Sequence, residues 1–197
     1  MNEKIIGLTG GIGSGKSTAA HFIEKMGYPV YYSDARAKAI VNDNLTLKNA
    51  IINLLGKDAY TTDGTYNRKW VAEQVFDNKD LLEKLNQIIH PAVKQDFETW
   101  VNQQNTEFVF KETALLFELG LHQSCHQSVL VTSEDNLRIK TVMDRDQKTY
   151  REVENIIKQQ MPEKDKIKLA DFIIYNNGTL EELEQNTITV ITQLTSA

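Results

Sequence analysis

A single cysteine, Cys125, excludes an intramolecular disulfide framework and any cysteine-rich zinc site. Its expected role is that of a small packed thiol. Positive charge is also short: 22 Lys and Arg stand against 27 Asp and Glu, a formal net charge of −5. Tracking a nucleic-acid backbone needs clustered cations, so no nucleic-acid partner is expected. A local cluster would still serve a phosphorylated small molecule. Long hydrophobic runs are missing. The apolar stretch near the amino end is broken by Gly7, Gly10 and Gly11, which fits neither a signal peptide nor a membrane span. No membrane partner is expected, and the cytoplasm is the expected location. There is no internal repeat, low-complexity tract, linker or partner-binding extension, and no obligate protein partner is evident. What is present is an ordinary globular composition, with 41% hydrophobic and 25% charged residues in 197, a length that suits one domain with a proper core.

Strands and helices alternate along the chain. Ile5-Ile6-Gly7-Leu8 is an almost continuous apolar run, as expected of a parallel strand buried on both faces. A glycine-rich loop follows. Ala19, Phe22, Ile23 and Met26 then recur at helical spacing, and Gly27 ends the pattern as a C-terminal cap. Val30-Tyr31-Tyr32 reads as a second strand, completing a βαβ opening and implying a parallel sheet. From about 34 to 105 the patterns are helical, with a turn at Thr61-Thr62-Asp63-Gly64. Strands resume at Phe108-Val109-Phe110, Val129-Leu130-Val131 and Phe172-Ile173-Ile174-Tyr175. A charged helical stretch, about 134 to 166, precedes the last of them. Thr179 and Glu182 form a capping box for a final helix. The expected fold is one α/β domain, residues 1–197, with five parallel strands and helical insertions.

The chemistry begins at Gly10-Gly11-Ile12-Gly13-Ser14-Gly15-Lys16-Ser17, which fits G-x-x-x-x-G-K-[ST] and lies between a buried strand and a helix. Glycines let the backbone curl so that successive N–H groups of Gly11, Ile12, Gly13, Ser14 and Gly15 line an anion-binding nest, and the helix N-terminus adds partial positive charge. Lys16 reaches for the β- and γ-phosphates, Ser17 offers its hydroxyl to Mg²⁺, and Thr18 is placed for the α-phosphate. ATP with Mg²⁺ is therefore the expected cofactor pair. A GTPase would carry Asn-Lys-x-Asp late in the chain; Asn78-Lys79-Asp80-Leu81 has the acid one place early, in a helical segment. Neither later strand ends in the aspartate usual in motor and transporter ATPases. Asp34, just past the second strand, has two readings. If that strand lies beside the first, Asp34 faces the γ-phosphate end of the loop, as a base for an attacking hydroxyl or an aid to Mg²⁺. Otherwise it caps the helix that follows, in competition with Ser33.

The stretch Gly7-Leu8-Thr9-Gly10-Gly11-Ile12-Gly13-Ser14-Gly15-Lys16-Ser17-Thr18 resembles the opening of dephospho-CoA kinases. The resemblance continues through Ser33-Asp34-Ala35, Asp63-Gly64, Arg68, Val75-Phe76, Leu85-Asn86-Gln87-Ile88-Ile89-His90-Pro91, Leu115-Leu116-Phe117-Glu118, Arg145-Asp146, Gln160, Ala170-Asp171 and Asn176-Asn177-Gly178. It implies a three-layer P-loop NTPase fold with a helical substrate-binding insert, about 57–105, and a lid, about 144–166. The implied reaction passes the γ-phosphate of ATP to the 3′-hydroxyl of the ribose of dephospho-CoA, giving coenzyme A and ADP. Asp34 is the implied base, with Lys16 and Arg145 as catalytic partners. Asn176 joins the nucleotide-binding residues; Asp34, Arg68, His90 and Leu115 fall to dephospho-CoA. Without the resemblance, Arg145 reads as a solvated helix charge or a pair with Asp144 or Asp146. His90 reads equally as the residue ahead of a helix-stopping proline.

Some positions depart from the family pattern. Tyr32 stands where the family has an acid, Ala114 where proline is usual, and Thr141 and Asn155 where many members have arginine. Arg138 and Lys140 are candidates to compensate. Glu112 stands where an acid is common, able to hold a metal-bound water or to serve only as a strand-end charge. Two other functions compete: a P-loop kinase for another nucleotide or small alcohol, and a nucleotide-dependent switch ATPase.

Overall fold

The computed structural model describes residues 3–196. Contacts divide the chain into two compact units: residues up to Tyr32 together with Gln104 onward, and Ser33–Gln103.

The first unit is a parallel α/β sheet. Its elements are β1 (Lys4–Thr9), α1 (Lys16–Lys25) and β2 (Val30–Tyr32). The chain next forms α2 (Ser33–Asp43), α3 (Leu45–Leu55), α4 (Arg68–Val75) and α5 (Lys79–Val101), which belong to the second unit. It returns with β3 (Phe108–Glu112), β4 (Gln127–Thr132), α6 (Asp135–Asp146), α7 (Tyr150–Gln159), α8 (Glu163–Leu169), β5 (Phe172–Tyr175) and α9 (Leu180–Thr195). All strand pairings are parallel, in the order β2-β3-β1-β4-β5. The strands are short and apolar because both faces are covered. Successive side chains alternate between faces. Ile6, Leu8, Phe110, Val129, Val131 and Ile174 thus pack with Ala19, Ala20, Phe22 and Ile23 of α1 and Ile191 and Leu194 of α9. Leu130 points the other way, onto Leu116 and Phe117, with Ile167 of α8 against them. The capping box at Thr179 and Glu182 starts α9 as its sequence requires.

In the strand order, β2 does not lie beside β1. β3 separates them, so the adjacency that would have aimed the end of β2 at the glycine-rich loop does not exist. In its place the register sets Glu112, at the end of β3, opposite Leu8 of β1 and Tyr32 of β2.

The helical unit takes in α2 and α3 as well as the stretch after 57. Ile40, Val41, Leu47, Ile51, Ala59, Tyr60, Val71 and Leu85 are its buried core, with Ile88, Ile89 and Val93 packed against them. Tyr60 donates its hydroxyl to the Val41 carbonyl at 2.7 Å, a buried bond that ties the turn region to α2. Pro91 does not stop a helix: α5 runs through it to Val101. The proline removes one backbone N–H, but the apolar stripe continues beyond it through Ala92, Val93, Phe97 and Val101, and that burial outweighs the lost bond. No described helix is long and apolar enough to cross a membrane.

Candidate functional site

The loop between β1 and α1 is built at the carboxyl end of the central strand, where open parallel sheets place their ligands. Gly15 is the residue preceding α1 and sits at φ 91°, in the left-handed region. A side chain there would also collide with the Asn176 amide. That amide donates from Nδ2 to the Ser14 carbonyl at 2.9 Å, so Asn176 supports the loop by a direct contact. The N–H of Ser14 closes a turn onto the Gly11 carbonyl at 3.1 Å. The Ser14 hydroxyl is buried without a hydrogen-bond partner among the described residues, a polar atom the protein itself leaves unused. Ser17 is exposed at the start of α1, and Thr18 is half-buried one step on.

Lys16 Nζ is in contact with Glu112 Oε1, with side-chain exposures of only 12% and 6%. The pair joins the first turn of α1 to the end of β3. Sequence reasoning had Glu112 as a secondary candidate; the strand order makes it the acid beside the P-loop lysine. Tyr32, at the end of β2, is half-buried. Burial and a hydrogen bond with Glu24 push its phenol up to about 12.

In the α6–α8 region, Arg145 is 60% exposed and its Nε and Nη2 donate to the two carboxylate oxygens of Asp146, at 2.7 and 2.8 Å. That bond, first among the causes, raises the Arg145 pKa further and lowers that of Asp146. Lys140, Thr141 and Asn155 are exposed, whereas Arg138 is 2% exposed. The segment after β3 divides its leucines. Leu116 is fully buried and Leu115 is 40% exposed, which leaves Leu115 available to a ligand. Glu118 pairs with the buried Lys166 of α8 at 3.4 Å and accepts the Met161 N–H at 3.1 Å. It thereby ties α8 to the segment that follows β3.

In the helical unit, α2 begins at Ser33, so Asp34 lies within the first turn rather than ahead of it, and it is exposed. Its side chain is therefore not tied up as the residue preceding the helix. Arg68, at the start of α4, is exposed and donates from Nη2 to the Lys38 carbonyl at 3.1 Å. His90 is exposed on α5. An open cleft of about 720 Å³ runs between α2, α3 and α5, with the bidentate pair of Arg36 and Asp96 on its wall at 2.6 and 3.0 Å. Its lining includes Ile88, Pro91 and Ala92 but not Asp34, Arg68 or His90. The structure thus brings Lys16, Ser14, Gly15, Asn176 and Glu112 together in one unit and leaves Arg145 at the outer end of α6.

A family model described as Dephospho-CoA kinase matches residues 4–182. A dephospho-CoA kinase of Fusobacterium nucleatum subsp. nucleatum is 37% identical over 183 residues, 93% of this chain and 94% of that protein. One from Listeria innocua is 35% identical over 194 residues, covering 95% and 96%. A crystal structure of a Thermus thermophilus protein, 32% identical, superposes with a TM-score of 0.85 over 98% of this chain and 99% of that one. With a five-stranded parallel sheet carrying the P-loop on its central strand, and relatives matched over nearly their whole length, the chain belongs to the dephospho-CoA kinase family.

Proposed function

We propose that this chain binds ATP on residues Gly11–Thr18 and transfers the γ-phosphate to the 3′-hydroxyl of the ribose of dephospho-CoA. The observation that carries the reading is the contact of Lys16 with Glu112 at the mouth of a P-loop, in a chain of this family. The Ile12 N–H is given to Gln160 and the Ser14 N–H to the Gly11 carbonyl, so of the expected nest it is the remaining N–H groups, with the N-terminus of α1, that hold the β-phosphate, and Asn176 braces the loop. Lys16 exchanges Glu112 for the phosphate oxygens and stabilises the charge spread over the transferring group. Asp34 accepts the hydrogen bond of the acceptor hydroxyl and orients it. Leu115, Arg68 and His90 contact dephospho-CoA, and Arg145 leaves Asp146 for the phosphates.

The donor set suits Mg²⁺: an exposed Ser17 hydroxyl and the Glu112 carboxylate are hard oxygens, few in number. This ion takes most of its ligands from phosphates and water. When bound, it would supply charge neutralisation across the phosphate oxygens. Among the described residues no cluster of three or more His, Cys, Asp or Glu side chains forms a metal site of its own.

The test is ATP consumption measured against a panel of acceptors: dephospho-CoA, adenosine and nucleoside monophosphates. Strong turnover with dephospho-CoA and little with the others is expected, and Lys16→Ala should abolish it while circular dichroism stays unchanged. A better rate with a nucleoside monophosphate would assign the chain another acceptor. Slow hydrolysis indifferent to every acceptor would point to a switch ATPase.

A further inference from the structure

Ile12 brings no chemistry of its own to the P-loop, yet both polar groups of its backbone are taken by side chains from far along the chain. Its N–H donates to Oε1 of Gln160, between α7 and α8, at 3.0 Å. Its carbonyl accepts from Nε of Arg138 on α6 at 3.1 Å. Arg138 is charged and almost fully buried. Such burial is tolerated only when the charge is paired and the donors are used. The charge is paired, because Nη1 donates to Glu163 of α8 at 3.0 Å and to Asp135 at 3.2 Å. The guanidinium lies so close to Gly11 that a β-carbon there would overlap Nη2. Close approach is therefore the reason for glycine at that position.

A loop whose N–H groups converge on an anion must turn the intervening carbonyls outward. Outward carbonyls near the protein interior need donors. Asn176 supplies one for Ser14, and Arg138 supplies one for Ile12. We infer that Arg138 and Gln160 are positioning residues for the nucleotide phosphates: together they fix the Ile12 peptide, and Glu163 ties that brace to α8. The hydrogen bonds of Arg138 Nε and Nη1 go to Ile12, Asp135 and Glu163, and through the first of them it acts on the loop. A displacement of α8 accordingly reaches Ile12 through two side chains, Glu163 and Arg138.

The inference rests on the nucleotide site proposed above, and the experiment separates the two. Calorimetry on the full chain compares ADP with adenosine, which lacks the phosphates, for wild type, Gln160→Ala, Arg138→Lys and the double variant. Loss of one hydrogen bond holding the loop is expected to raise the ADP Kd roughly fivefold to tenfold in each single variant. Adenosine affinity should stay within about twofold. The double variant should fall short of the product of the two, because both side chains act on one peptide. A merely structural role would lower the thermal midpoint and leave the ratio of ADP to adenosine affinity alone. If Arg138→Lys does not fold, Gln160→Ala decides by itself, since it deletes no charge. An unchanged ratio in Gln160→Ala, or strictly multiplicative effects in the double variant, would overturn the brace. A wild-type chain that does not bind ADP would overturn the nucleotide site instead.

Discussion

Replacing Glu112 by Gln keeps the shape of the side chain and removes the charge that faces Lys16. Breaking a buried ion pair from one side costs about 3–5 kcal/mol when the remaining charge stays buried. Lys16 retains some exposure at the mouth of the site, so its ammonium can rehydrate in part. A loss below that scale, about 1–3 kcal/mol, is therefore expected. At roughly 2–4 °C per kcal/mol for a chain of this size, the thermal midpoint should fall by about 2–12 °C. Saturating ADP supplies a new counter-ion for Lys16, and in the variant the nucleotide no longer competes with Glu112. The rise in midpoint on adding ADP should therefore be larger in the variant than in wild type, while kcat with dephospho-CoA falls by roughly 10²-fold or more. Differential scanning fluorimetry with and without ADP, alongside steady-state kinetics, reads all three quantities. An equal ADP-induced rise in both proteins, with kcat within about threefold, would refute the assignment and leave Glu112 a strand-end charge.

Asp34→Asn should lower kcat by roughly 10²–10⁴ with much less change in ATP affinity, if the carboxylate serves the acceptor hydroxyl. Wild-type kinetics in that variant would reduce Asp34 to a first-turn charge on α2. Arg145→Ala should reduce kcat more than it weakens ATP binding, since the guanidinium must leave Asp146 to stabilise the transferring phosphoryl group. An unchanged rate would leave the Arg145–Asp146 pair as a surface feature. Such exposed pairs are worth little to stability, so the thermal midpoint should hardly move in either case.

The P-loop, the positions of all five strands and the capping box of α9 were legible in the sequence because each is a local property. A nest needs its glycines, Lys16 and Ser17 within eight consecutive residues. A strand buried on both faces needs a short apolar run, and a cap needs Thr179 and Glu182 three apart. The likeness to dephospho-CoA kinases was legible for the same reason, carried by short motifs such as His90-Pro91 and Leu115–Glu118. Apolar periodicity reports that a face is buried and is silent on what buries it. Strand order therefore had to come from the tertiary structure: parallel strands joined by long crossovers can follow one another in the chain and lie apart in the sheet. That is how β3 comes between β1 and β2 and delivers Glu112, rather than the end of β2, to Lys16. The continuation of α5 through Pro91 was decided by the packing of Leu85, Ile88 and Phe97, which outweighs a single missing N–H. In the sequence Arg138 stood only as a candidate to compensate for the arginines missing at 141 and 155. Only the folded chain, with Glu163 and the Ile12 carbonyl brought to it, makes its burial possible, because a buried charge is stable only where distant partners converge on it.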